Sequence, residues 1–185
     1  YVHFLLVCLC VSLIGEIWIA NLAEGHSNKP KESIPNKDFA DSVLMYARYL
    51  KSVHKDNAVV ELRNKLTHLF HLLGLNSSRE ELGRIALESA VVTSDTLSIV
   101  EILIDDLGWA IHLQGRTQEG RSNIGKAVAM IENLAVATDA DIVRSELAHA
   151  KAHRHLAFLA PNENGQNTHL DKCSSIIETL KSRES

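Results

Sequence analysis

The chain has 185 residues, 45% hydrophobic and 23% charged, with a formal net charge of −4. This balance suits a globular domain with one extra segment, argues against wholesale disorder, and lacks the clustered basic excess of a nucleic-acid binder. Nine Gly and three Pro are few for this length, which disfavours a turn-rich β-sandwich and favours long helices.

The first residue is Tyr1 rather than Met, as expected of a fragment or processed product. Residues 4–23, FLLVCLCVSLIGEIWIANLA, supply about the 20 apolar residues that cross a bilayer as a helix. Segment 1–24 is therefore expected to be a single transmembrane helix. Glu16 would be costly inside a span unless it faces another helix or a second copy, so homo-oligomerisation is an open partner class. Residues 25–38 are polar, carry Pro30 and Pro35, and read as a linker. Lys29, Lys31 and Lys37 lie close behind the apolar segment and place the rest of the chain on the cytoplasmic side. Cys173 is alone after the apolar segment, so no disulfide framework is expected and a reducing compartment fits.

From residue 39 to 185 apolar residues recur at three- and four-residue spacing, and no strand is evident. The periodicity predicts seven helices, over 40–53, 58–74, 77–92, 95–115, 117–136, 139–160 and 168–182. Gly74 stops the second of these as a C-terminal glycine does. Ser78, three residues before Glu81, is placed as a capping box for the third.

An internal echo appears at a shift of 41 residues: Leu62 falls on Leu103, Leu66 on Leu107, Phe70 on Ile111, Gly74 on Gly115 and Ala86 on Ala127. The helices 58–74 and 77–92, 95–115 and 117–136, and 139–160 and 168–182 therefore read as three hairpins. The stretch around Ile104, Leu107, Gly108, Ile111, Gly115, Ile124 and Ala127 resembles the tetratricopeptide repeat family. Gly120 stands where that family usually has Ala. The resemblance implies an all-α, right-handed stack of about three helical hairpins, with these residues as packing positions.

The resemblance also implies a concave groove lined by the first helix of each hairpin. Carried onto this chain, the exposed groove positions are Asn64, His68 and His71, then Asp105, Trp109 and His112, then Lys151 and Arg154. A peptide or partner protein is the first expectation for that groove. The second is a membrane effector whose helical domain senses a small anionic signal of nucleotide type and gates the apolar segment, because Glu16 lies in the span and Trp can stack a base and Arg can grip a phosphate. No enzyme, cofactor or metal site is expected. His149 and His153 are four apart as zinc ligands can be, but nothing completes a set, so they read as solvated helix residues. Arg144 and His149 share the R-x4-H spacing of a helical ribonuclease family, a remote alternative. GRSNIG (120–125) follows no strand, so its glycines are expected to serve close helix packing rather than a phosphate loop.

Overall fold

The computed structural model of the chain describes residues 36–135 and 138–183. The expected membrane helix lies outside them, with most of the expected linker. Among the described residues there is no strand, and no helix is long and apolar enough to cross a membrane.

Seven helices make up this region: α1 Asn36–Ser52, α2 Asp56–Leu72, α3 Asn76–Val92, α4, α5 Thr117–Glu132, α6 Asp139–Phe158 and α7 Glu163–Arg183. The helix α4 runs continuously through three pieces, Thr96–Ile104, a π-helical turn at Asp105–Trp109, and Ala110–Leu113. The expected all-α class holds, with corrected boundaries. Helix α1 starts at Asn36, inside the expected linker. Helix α7 starts at Glu163 rather than 168, because Asn162 accepts the Gly165 N–H at 2.8 Å and caps the polar first turn.

The turns explain the repeat. His54, Gly74, Ser94 and Gly115 all have left-handed backbone, with φ of 58°, 71°, 57° and 84°. Each turn carries the same pair of bonds. Gly74 N donates to His71 O (3.1 Å) and Leu75 N to Phe70 O (2.9 Å), while Ser94 N donates to Val91 O (3.2 Å) and Asp95 N to Ala90 O (2.9 Å). This is the Schellman motif, and it satisfies carbonyls that the helix end would leave bare. The next helix then begins two residues after the left-handed one. That rule overturns the capping box: Leu75, not Ser78, occupies the cap position of α3, and no side chain caps it. Asp95 is a true cap of α4, accepting the Ser98 N–H at 3.0 Å.

Helices α1 to α4 start at residues 36, 56, 76 and 96, at an even spacing, and α5 starts at 117, one residue late. The extra residue is taken up in the π turn of α4, where the Ala110 N–H reaches back five residues to Asp105 O. The starts of α2 and α4 therefore align at a shift of 40, and their ends, Phe70 with Ile111 and Gly74 with Gly115, at a shift of 41.

Helix pairs α2–α3, α4–α5 and α6–α7 pack as hairpins. Helix α4 also touches α3 and α6, and α1 lies against α2 and α3, where the second helix of a preceding hairpin would sit. One apolar cluster runs from Leu50 and Val59 through Ile104, Ile111 and Ile124 to Leu156 and Leu159, and a second gathers Val43, Leu44 and Phe70 around α1. Of the packing residues expected in the 104–127 stretch, Ile104, Leu107, Ile111, Ile124 and Ala127 are buried in the first cluster and Gly108 is buried beside it, whereas Gly115 is an exposed turn residue. Helices α4 and α5 cross so closely that a Cβ on Gly120 would lie 2.5 Å from the Gly108 carbonyl oxygen, and one on Gly108 would lie 2.5 Å from Ile124 Cγ1. Gly125 makes no such approach, so helix packing accounts for Gly120 but not for Gly125.

Candidate ligand-binding site

Three charged residues occupy the apolar phase of their helices. Arg63 shares the buried stripe of α2 with Val59, Leu66 and Phe70. Arg79 begins that of α3, ahead of Leu82 and Ala86, and Asp106 lies between Leu103 and Ala110 on α4. Arg63 is 2% exposed, Arg79 5% and Asp106 0%. Burial of such charges requires pairing. Asp106 Oδ2 accepts from Arg63 Nε, and Asp106 Oδ1 accepts from Thr67 Oγ1 and, at 2.9 Å, from Arg79 Nε. Gly83 makes room for this carboxylate, because a Cβ there would collide with the Asp106 side chain. One carboxylate thus ties α2, α3 and α4 together.

Asp105 is the neighbouring residue in the π turn and points the other way. Its Oδ2 accepts from Lys151 Nζ of α6 at 3.0 Å and lies 3.6 Å from Arg63 Nη2, and its Oδ1 lies 3.9 Å from Arg79 Nη2. Burial works to raise the Asp105 pKa, but Lys151, Arg63 and Arg79 outweigh it and hold the carboxyl below its usual range.

A cavity of about 530 Å³ opens beside Asp105 between α2, α4 and α6. Six of the eight expected groove residues line it: His68 and His71 from α2, Asp105 and Trp109 from α4, and Lys151 and Arg154 from α6. The other two lie elsewhere. Asn64 lines a shallower depression of about 400 Å³ on the same face, which shares Thr67, Asp105 and Lys151 with the cavity. His112 is turned towards α5, where its Nδ1 is 3.0 Å from Thr117 Oγ1, and it braces the Trp109 ring at 5.0 Å. Four further lining residues were not expected from sequence: Thr67, Arg79, His155 and Phe158. Arg79 is on the second helix of its hairpin, outside the first-helix rule, and its sequence signal is a charge at an apolar position.

Three residues of the cavity lining carry nitrogen atoms without partners. Arg79 Nη1, His71 Nδ1 and His155 Nδ1 are buried and make no hydrogen bond among the described residues. Arg154 is exposed and also makes no ion pair or hydrogen bond there. Burial lowers the His155 pKa to about 4, helped by the charges of Arg154, Lys151 and Arg79. His71 is likewise lowered by burial and then by Arg79 and His68. Both imidazoles are therefore neutral at neutral pH. Three cations against one carboxylate leave the cavity lining at a net charge of +2. The aromatic side is built from Trp109, stacked on His155 at 4.3 Å and 18°, and Phe158, edge-on to Trp109 at 6.0 Å.

Of the other histidine pair, expected to be solvated, His153 is buried and His149 is half-buried. His153 is packed between α6 and α7, its Nδ1 3.1 Å from His169 Nδ1 and its ring 4.8 Å from that of His149. Burial first, then the charges of His149, His169 and Lys172, lower the His153 pKa to about 4. Among the described residues no three His, Cys, Asp or Glu side chains are placed to hold a metal ion. Arg144 does not converge with His149. It is tied to Glu101 at 2.7 and 2.8 Å and to Ser98 Oγ at 3.1 Å, facing α4, while His149 stacks on His153. Five residues along a helix separate two side chains by about 140°.

No family model, no curated protein and no solved structure matches the chain.

Proposed function

We propose that the helical region is a non-enzymatic binding module and that its cavity seats the anionic group of a ligand. The observation that carries this reading is Arg79. Its guanidinium is buried against Asp106, Nη1 has no partner, and the residue lines the cavity. A buried donor without an acceptor costs about 1–3 kcal/mol, and a small turn of the guanidinium towards an anion in the cavity would supply the acceptor. Lys151 and Arg154 add charge on the facing helix. The stack of hairpins is of tetratricopeptide type in this proposal, supported by the even turns and the pairing order. Tethering through residues 4–23, with the helical region cytoplasmic, belongs to the same proposal and rests on their apolar sequence and on Lys29, Lys31 and Lys37 behind it.

A second reading keeps the peptide or protein partner. The polar depression around Asn64, Ser98 and Arg144 continues from the cavity through the shared Lys151, and its lining charges balance, so an extended segment fits along both with its acidic end in the cavity. The test of the first reading is thermal unfolding of the full chain with pyrophosphate, citrate, phosphate and chloride at equal ionic strength. Multivalent anions are expected to raise the midpoint, and Arg154→Glu is expected to abolish the rise without changing the anion-free midpoint. Equal stabilisation of both proteins would remove the cavity as the site.

A further inference from the structure

We infer that the ligand is a phosphate monoester carrying a planar ring, of the nucleoside monophosphate class. This inference rests on the anion-binding reading and sharpens it.

The charge of the site selects the anion. The lining carries a net +2 from Arg79, Lys151, Arg154 and Asp105. The pairs behind it, Arg63 with Asp106 and Arg144 with Glu101, cancel. A phosphate monoester carries about −1.5 to −2 at neutral pH, whereas a single carboxylate would leave one cation uncompensated. The Arg154 guanidinium is exposed and without a partner among the described residues, and Lys151 and Arg79 line the same cavity, so the cations come from two helices and suit the several oxygens of a phosphoryl group.

The aromatic side selects what the phosphate is attached to. Phe158, the last residue of α6, is 69% exposed although it lines the cavity. Trp109 stands edge-on behind it and is itself fixed between His155 and His112. Phe158 therefore offers a braced ring face on which a base can stack, an interaction that is tolerant of base identity. The cavity size falls within the range of about 300–1,000 Å³ usual for small-ligand sites.

The test is isothermal titration of the full chain with adenosine 5′-monophosphate, ribose 5-phosphate, adenosine and succinate. The nucleotide is expected to bind tightest. Ribose 5-phosphate is expected to bind about tenfold more weakly, and adenosine and succinate more weakly still. Phe158→Ala should cost the nucleotide about tenfold and leave ribose 5-phosphate unchanged, whereas Arg154→Ala should weaken both phosphates about tenfold. Both side chains are exposed and outside the buried network, so neither variant should disturb folding. Equal binding of nucleotide and ribose 5-phosphate would overturn the ring. Equal binding of succinate and the phosphates, still dependent on Arg154, would overturn the phosphate while leaving an anion site. No binding of any anion would overturn both this inference and the reading on which it rests.

Discussion

Arg79 Nε donates to Asp106 Oδ1 at 2.9 Å across the α3–α4 contact, while Nη1 of the same guanidinium is buried without a partner and the residue lines the cavity. Structure and proposed function therefore meet in one side chain. It holds two hairpins together and also lines the cavity proposed for an anion. Asp106 is the element on which the fold depends. Asp106→Ala leaves the Arg63 and Arg79 charges buried without their principal carboxylate, and is expected to cost about 3–5 kcal/mol in urea unfolding. A loss below about 1 kcal/mol would show that the network adds little.

Asp105 is expected to behave differently. It faces the cavity and competes with any ligand for Lys151 and Arg79. Asp105→Asn raises the net charge of the lining from +2 to +3. Anion affinity is expected to rise several-fold in titration, most strongly at low salt. Weaker binding would mean that Asp105 orients the cations more than it competes with the ligand.

Much of this architecture was legible in the sequence, and the misses have physical causes. Seven helices follow from apolar periodicity, and Gly74 and Gly115 mark two of the turns because glycine tolerates left-handed backbone. His54 and Ser94 take the same conformation with a Cβ and give no such signal. The capping box failed because the Schellman turn sets where α3 starts, whatever Ser78 and Glu81 offer. Six of the groove residues meet in one cavity because first-helix phase alone puts them on a common face. Arg79 and His155 were missed because each sits at a buried phase, where a polar side chain reads as packing. His112 was misplaced by the π turn, which changes the phase of the helix after Asp105.

Ser94→Gly is expected to stabilise the chain by about 0.5–1 kcal/mol. Relief of the left-handed Cβ exceeds the added entropy of the unfolded chain. Gly115→Ala should have the opposite sign, by about 1–2 kcal/mol. Thermal unfolding of the two variants beside the parent checks both. Destabilisation by Ser94→Gly would contradict the turn assignment.

Gly120→Ala replaces glycine with the residue the resembling family usually has, and with the better helix former by about 1 kcal/mol. It is nevertheless expected to destabilise by about 1–3 kcal/mol, because its Cβ meets the Gly108 carbonyl at the α4–α5 crossing. Gly125→Ala, with open space around the Cβ, should be stabilising. Equal effects from the two would show that the crossing relaxes.

The buried imidazoles predict a pH dependence. Burial lowers the pKa of His153 and of His155 to about 4, against about 6.5 in the unfolded chain. Above pH 6.5 both states are neutral and neither residue contributes. Between pH 6.5 and 4 the unfolded chain takes up protons that the folded chain refuses. Stability should fall over that window, by up to about 1.4 kcal/mol per pH unit for each histidine, and level off below it. Urea midpoints at pH 7, 5.5 and 4.5 give the slope, and His155→Gln should reduce it. A flat profile would contradict the neutral, buried assignment.

The central claim is that the cavity beside Trp109 binds an anion. The most direct measurement is Trp fluorescence of the full chain carrying Trp18→Phe, which leaves Trp109 as the sole tryptophan. Titration with adenosine 5′-monophosphate is expected to give a saturable change in emission that Arg154→Glu abolishes while helicity is retained. Unchanged emission at millimolar nucleotide, or the same change in Arg154→Glu, would contradict the account.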